Sequence, residues 1–169
     1  NRLKEYATYD ELTGVYNRRV GLTMLEQELH QSQREGKPLS ICFVDINGLK
    51  KVNDTWGHDE GDFFIQSIAG VMREELRKGD LLCRLGGDEF LMVYKNCNYA
   101  NANRIWERID DKLKELNSQS SKEYEISVSR GIIEYNKGLH ADVHDLVNQA
   151  DKKMYVNKKM YPKRHRSEY

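Results

Sequence analysis

The chain has 169 residues, and its 27 basic and 27 acidic side chains give a formal net charge of zero at pH 7. That balance excludes a global pull toward nucleic acid or an acidic membrane surface, and the length suits one domain with a sizeable core. No apolar run approaches the roughly 18 residues of a membrane span. The polar start Asn1-Arg2-Leu3-Lys4-Glu5 shows no secretory leader and lacks methionine, so a piece of a longer protein is expected. Cys42, Cys83 and Cys97 are unevenly spaced in apolar contexts and read as reduced core thiols of a cytoplasmic protein, not a disulfide or zinc set. The five histidines show no metal-ligand spacing.

Residues 1–9 read as the tail of a helix entering from upstream. Thr13-Gly14 marks a turn and Asn17 a helix N-cap, followed by Leu22, Leu25 and Leu29 at helical spacing to about Gln33, with Gly36 and Pro38 as the stop. Residues 39–46, Leu-Ser-Ile-Cys-Phe-Val-Asp-Ile, are nearly all apolar and fit a central strand buried on both faces. Asp45 ends that run, where an acid points into a site rather than filling core. Asn47 to Gly61 reads as a loop with a short turn. A helix follows, with Phe64, Ile68, Val71, Met72 and Leu76 on one face and Gly79 past its end.

Next come two short apolar runs around Leu85-Gly86-Gly87-Asp88-Glu89-Phe90, a hairpin over about 81–95. Adjacent glycines supply positive φ without a Cβ penalty. The adjacent carboxylates of Asp88 and Glu89 repel each other near a sheet, and a divalent cation would compensate them. Ile105, Trp106, Ile109, Leu113 and Leu116 then mark another amphipathic helix, and residues 124–135 alternate as a strand. A last helix carries Leu146, Val147, Ala150, Met154 and Tyr155 before a basic end. Without the first and last helices the order is βαββαβ, an α/β (α+β) arrangement with an antiparallel-to-mixed sheet and helices on one face. In that order the first strand lies beside the hairpin, so Asp45 and Asp88 meet.

These segments together resemble a GGDEF domain, the catalytic domain of diguanylate cyclases. The resemblance rests on Asp10-x-Leu12-Thr13-Gly14-x-x-Asn17-Arg18-Arg19, the run Asp45 to Asp54, Gly57-His58-Asp59-x-Gly61-Asp62, Gly86 to Phe90, and Ala150-Asp151-x-x-Met154-Tyr155. It implies a palm-like βαββαβ core, shared with nucleotidyl cyclases, over residues 10–161, between a linker tail at 1–9 and a basic tail at 162–169. It implies condensation of two GTP into cyclic di-GMP with release of two pyrophosphates, in a transient homodimer in which each subunit brings one GTP. The implied partners are GTP, cyclic di-GMP and an upstream sensory domain, with no nucleic acid and no membrane contact. The expected location of this domain is cytoplasmic, with membrane anchoring of the parent protein left open.

The resemblance also assigns residues. Asp45, the Ile46 carbonyl, Asp88 and Glu89 match metal ligands for Mg²⁺ or Mn²⁺, two per active site, with Asp88, Glu89 and Lys50 catalytic. Gly86 and Gly87 match the backbone against the triphosphate and ribose, and Lys50 and Lys158 match phosphate contacts. Asn53 and Asp62 match the guanine-reading pair, an amide and a carboxylate suited to that base edge. His58 reads as a hydrogen-bonding residue of the loop beside the substrate. Arg77 and Asp80, five residues ahead of the hairpin motif, match a product-inhibition site with Arg108 as helper.

Two departures stand out. Pro162 occupies a place where family members often carry a phosphate-binding arginine, leaving Lys163 or Arg164 to supply it, and Arg130 stands within a strand where an apolar residue is common. Two other readings compete with the cyclase. One is a degenerate domain that binds GTP or cyclic di-GMP without turnover, and the other is a related enzyme with another nucleotide preference.

Overall fold

The computed structural model describes residues 2–160. In chain order it contains α1 (Arg2–Thr8), α2 (Arg18–Glu35), β1 (Leu39–Ile46), α3 (Leu49–Trp56), α4 (His58–Glu74), β2 (Leu81–Arg84), β3 (Glu89–Lys95), α5 (Tyr99–Gln119), β4 (Val128–Glu134) and α6 (Val143–Met160). The strands form one sheet in the order β2-β3-β1-β4, with every neighbouring pair antiparallel. The βαββαβ order is therefore present. The antiparallel-to-mixed expectation resolves to antiparallel.

Local chemistry sets the boundaries. The Asn17 side chain accepts the Val20 N–H at 3.0 Å to open α2, and Gly36, at φ 64°, closes it. All eight residues of β1 are buried, as a strand covered on both faces requires. Strand alternation then sorts the core into two layers. Phe90, Met92 and Tyr94 of β3 face a cluster with Phe64, Ile68, Met72 and Trp106, beneath α3, α4 and α5. Leu91 and Val93 face the other cluster, with Leu25, Leu29, Ile41, Phe43 and Leu146, beneath α2 and α6. Each such side chain removed from water contributes about 1.5–3 kcal/mol. The helices of the βαββαβ unit thus lie on one face, and the added first and last long helices cover the other.

α6 lies directly on β4 because Gly131 has no side chain. A Cβ there would stand 2.2 Å from the Ala150 carbonyl oxygen and 2.4 Å from the Met154 nitrogen. The Arg130 beside it is explained by its partners. Its guanidinium lies 5.1 Å from the Trp106 ring centroid and 2.7 Å from the Asp110 carboxylate, tying α5 to β4.

Three expectations need correction. Asn47 to Gly61 is not a loop: α3 fills 49–56 and α4 starts at His58, the break between them being Gly57 at φ 93°. The strand expected over 124–135 forms only at 128–134, because β1, its partner, runs out at Ile46 opposite Val128. The hairpin glycines do not supply positive φ; Gly86 and Gly87 are absent from the left-handed region that Gly14, Gly36, Gly48, Gly57 and Gly79 occupy. The basic tail at 162–169, with Pro162, Lys163 and Arg164, lies outside the described residues. No helix among the described residues is long and apolar enough to cross a membrane.

Candidate active site

The ends of β1 and β3 define the site. Asp45 pairs directly opposite Glu89 across the two strands, so both side chains leave the sheet on the α2/α6 face. The Ile46 N–H donates to the Asp88 carbonyl at 2.8 Å, which fixes the turn that carries Asp88 against the end of β1. Burial, together with the adjacent Asp88 carboxylate, holds Asp45 above its ordinary value despite a 2.6 Å bond from the Lys158 ammonium. Glu89 is raised as well, first by burial and then by the charges of Asp88, Asp45 and Asp151, which outweigh Arg18.

This cluster fits a divalent cation. The Oδ1 atom of Asp45 is buried and has no hydrogen-bond partner, while Oδ2 is held by Lys158. A buried carboxylate oxygen without a partner, beside a second carboxylate, is an uncompensated cost that a cation would remove. Among the described residues no group of three or more acids, histidines or cysteines stands close enough to hold a metal by itself. Mg²⁺ characteristically takes one or two carboxylates and completes its shell with waters and phosphates, which matches the Asp45 and Asp88 pair.

The other face of the sheet carries the residues expected to read a base. Asn53 lies on α3 and Asp62 on α4. The two helices approach at Gly61, where a Cβ would fall 1.7 Å from the Asn53 Oδ1 atom. Asn53 therefore lies over the residue that precedes Asp62. Lys50 is exposed on the first turn of α3. His58 differs from its expected role: it is the exposed first residue of α4 and its ring makes no hydrogen bond among the described residues.

Arg77, Asp80 and Arg108 lie away from this cluster. Arg77 forks onto both oxygens of Asp80 at 2.9 and 3.0 Å and also donates to the Lys95 carbonyl at 3.0 Å, at the far end of β3. Lys95 is six residues along the strand from Glu89, about 20 Å away. Arg108 is bonded to Glu75 at 2.8 Å.

Sequence reasoning missed several residues that shape the site. Arg84 donates to the carbonyls of Gly86 and Gly87 and to Asp10. Arg18 donates to the Leu85 carbonyl at 3.2 Å. Asp151 adds charge beside Glu89, and Gly61 admits Asn53. A basic residue two places ahead of a double glycine was the available signal for Arg84. Asp10, Arg18 and Asp151 stood inside quoted motifs without a role.

The fold and the acid pair at the sheet's end define an α/β domain of the nucleotidyl-cyclase kind. The family model described as "Diguanylate cyclase, GGDEF domain" matches residues 7–164, and the chain belongs to that family. A protein of Escherichia coli K12 named "Probable diguanylate cyclase DgcJ" is 36% identical over 149 residues, which cover 88% of this chain and 29% of DgcJ. The chain spans about a third or less of the length of the curated relatives it matches first. Among solved structures, the diguanylate cyclase SiaD of Pseudomonas aeruginosa, in complex with its activator SiaC, superposes with a TM-score of 0.84 at 36% identity, covering 94% of this chain and 61% of that one. The GGDEF domain of DgcB from Caulobacter crescentus, in complex with c-di-GMP, gives 0.83 at 28% identity and covers 91% of both chains.

Proposed function

We propose that this chain condenses two GTP molecules into cyclic di-GMP, with release of two pyrophosphates, in a divalent-metal-dependent reaction between two copies of the domain. The observation that carries the reading is the buried, partnerless Asp45 oxygen beside Asp88 at the end of the central strands, in a chain of this family. Asp45 and Asp88 would hold the cation, with the Ile46 carbonyl at the same strand end. When bound, the metal neutralises charge developing on the α-phosphate and on departing pyrophosphate.

The chain's own residues do the rest. Asn53 and Asp62 hold the guanine edge, the carboxylate accepting from its two N–H groups. Gly86 and Gly87 let backbone approach the phosphates without a side chain between. Glu89, raised by burial and by its acidic neighbours, takes the proton of the ribose 3′-hydroxyl. The hydroxyl oxygen forms a bond to the α-phosphorus of the other nucleotide as the bond to pyrophosphate breaks. Lys158, bonded to Asp45 at 2.6 Å, would neutralise that carboxylate and lies where it could also contact a phosphate held beside it. Lys50, exposed on the opening turn of α3, provides a further phosphate contact.

Arg77, Asp80 and Arg108 serve as a product-binding site in the same reading. Two copies are needed because each holds half of the reactants, so the rate should rise more steeply than protein concentration. The test is incubation of the purified chain with Mg²⁺ and GTP, followed by mass analysis of the products. Cyclic di-GMP and pyrophosphate in the ratio of one to two support the reading. Bound but unchanged GTP would instead mark a receptor, and a product from ATP alone a different nucleotide preference.

A further inference from the structure

We propose that Arg84 is a positioning residue: by pinning the carbonyls of Gly86 and Gly87 it aims the N–H groups of Gly87 and Asp88 outward as a paired donor for a nucleotide phosphate. The identity of that phosphate rests on the reading above. The geometry of the clamp does not.

All three guanidinium nitrogens of Arg84 are engaged. Nε donates to the Gly86 carbonyl at 3.0 Å and Nη2 to the Gly87 carbonyl at 2.7 Å. Nη1 donates to both oxygens of Asp10, at 3.3 and 3.2 Å. The guanidinium therefore faces back into the turn and toward Asp10. The Arg84 and Asp10 side chains are only 15% and 21% exposed, so water competes weakly for the bonds between them, while the Gly86 and Gly87 carbonyls lie at the surface.

Asp10 is fixed in turn. It accepts from the Thr13 N–H at 3.0 Å and from the Thr13 hydroxyl at 2.7 Å. The chain that follows is laid beside β2: the Tyr16 N–H donates to the Leu82 carbonyl at 3.2 Å, and the Arg84 N–H to the Tyr16 carbonyl at 3.0 Å. Arg18 adds a bond to the Leu85 carbonyl at 3.2 Å, just ahead of the two glycines. The opening segment thus braces one side of the hairpin turn, carbonyl by carbonyl.

Peptide planarity carries the consequence. The Gly86 carbonyl shares a peptide with the Gly87 N–H, and the Gly87 carbonyl with the Asp88 N–H. No peptide in the described chain is cis, so each N–H points opposite to its carbonyl. Both carbonyls point at Arg84, and both N–H groups therefore point away from it. Neither N–H has an acceptor among the described residues. A Cβ at Gly87 would meet nothing within 4 Å, and Gly87 is exposed, so the turn is uncovered at that residue. Consecutive N–H groups aimed outward from a turn form an anion-binding concavity.

The test compares wild type with R84A, R84K and D10N by binding of 3′-deoxy-GTP with Mg²⁺, which lacks the attacking hydroxyl, and by amide NMR. In wild type, the Gly87 and Asp88 amide signals move downfield on binding. In R84K, an ammonium reaches one carbonyl only, so Kd rises about tenfold, the worth of a charge-assisted hydrogen bond, and the two amide shifts shrink while thermal melting is retained. R84A shows the larger loss. D10N, which leaves one acceptor for Nη1, shows a smaller one. If R84A fails to fold, R84K and D10N decide. R84K binding within twofold of wild type, amides of Gly87 and Asp88 that stay in place while others move, or no binding by wild type would each overturn the assignment. Wild type that binds and shows the shifts but makes no cyclic di-GMP would overturn the activity and leave Arg84's role standing.

Discussion

Replacing Gly61 with alanine tests the base-reading pair without touching it. The added Cβ would fall 1.7 Å from Asn53 Oδ1 and 2.8 Å from its Cγ. Real Cβ contacts do not come within 3.0 Å, so the amide oxygen must retreat by more than an ångström. The obstacle is the end of one side chain, so the backbones of α3 and α4 can stay in place while Asn53 swings away. Alanine inside a helix is also more stable than glycine by about 0.5–1 kcal/mol. The variant should therefore melt near wild type. Misplacing a substrate-positioning group by about 1 Å can cost 10²-fold, so kcat/KM for GTP should fall by about 10–10²-fold. Gly70 provides the control on the same helix, since a Cβ there meets nothing within 4 Å and Gly70→Ala should leave the kinetics unchanged. Steady-state assays with GTP and melting curves on both variants suffice. Gly61→Ala with wild-type kcat/KM would show that Asn53 does not read the base from where it lies.

Asp45→Asn or Asp88→Asn should reduce cyclic di-GMP formation by at least about 10²–10³-fold at saturating Mg²⁺, with a folded protein by circular dichroism; more than a tenth of wild-type turnover would refute the metal assignment. Burial pushes the Cys83 thiol up to about 12 and raises Cys42 and Cys97 too; the native chain should therefore resist a thiol reagent at pH 8, and all three thiols should react once it is unfolded. Arg77→Ala should relieve inhibition by added cyclic di-GMP without changing the initial rate. Glu75→Gln, which weakens the hold on Arg108, should lower the product concentration that halves the rate; no inhibition of wild type at high micromolar product would remove the site.

What the sequence disclosed, and what it withheld, follows from the range over which each signal acts. β1 was legible to the residue because a strand buried on both faces needs an unbroken apolar run, and Asp45 was conspicuous because it ends that run. Asn17 and Gly36 were legible because capping is chemistry between near neighbours. α3 was missed because it is short: its apolar positions Leu49, Val52 and Trp56 stand at helical spacing, but only Val52 is buried and the eight residues sit between two glycines that read as turn signals. The hairpin glycines were found for a reason that does not hold. They are not needed for positive φ; theirs are the carbonyls that Arg84 takes. That contact depends on Asp10, 74 residues away, just as the state of Asp45 depends on Lys158 across 113 residues. Arg130 shows the same limit: as a letter in a strand it looked misplaced, yet Asp110 and Trp106 on α5 make it a packed cation. A charge's role is set by what stands opposite it after folding, so motif order could name the acids of this site but not the groups that hold them in place.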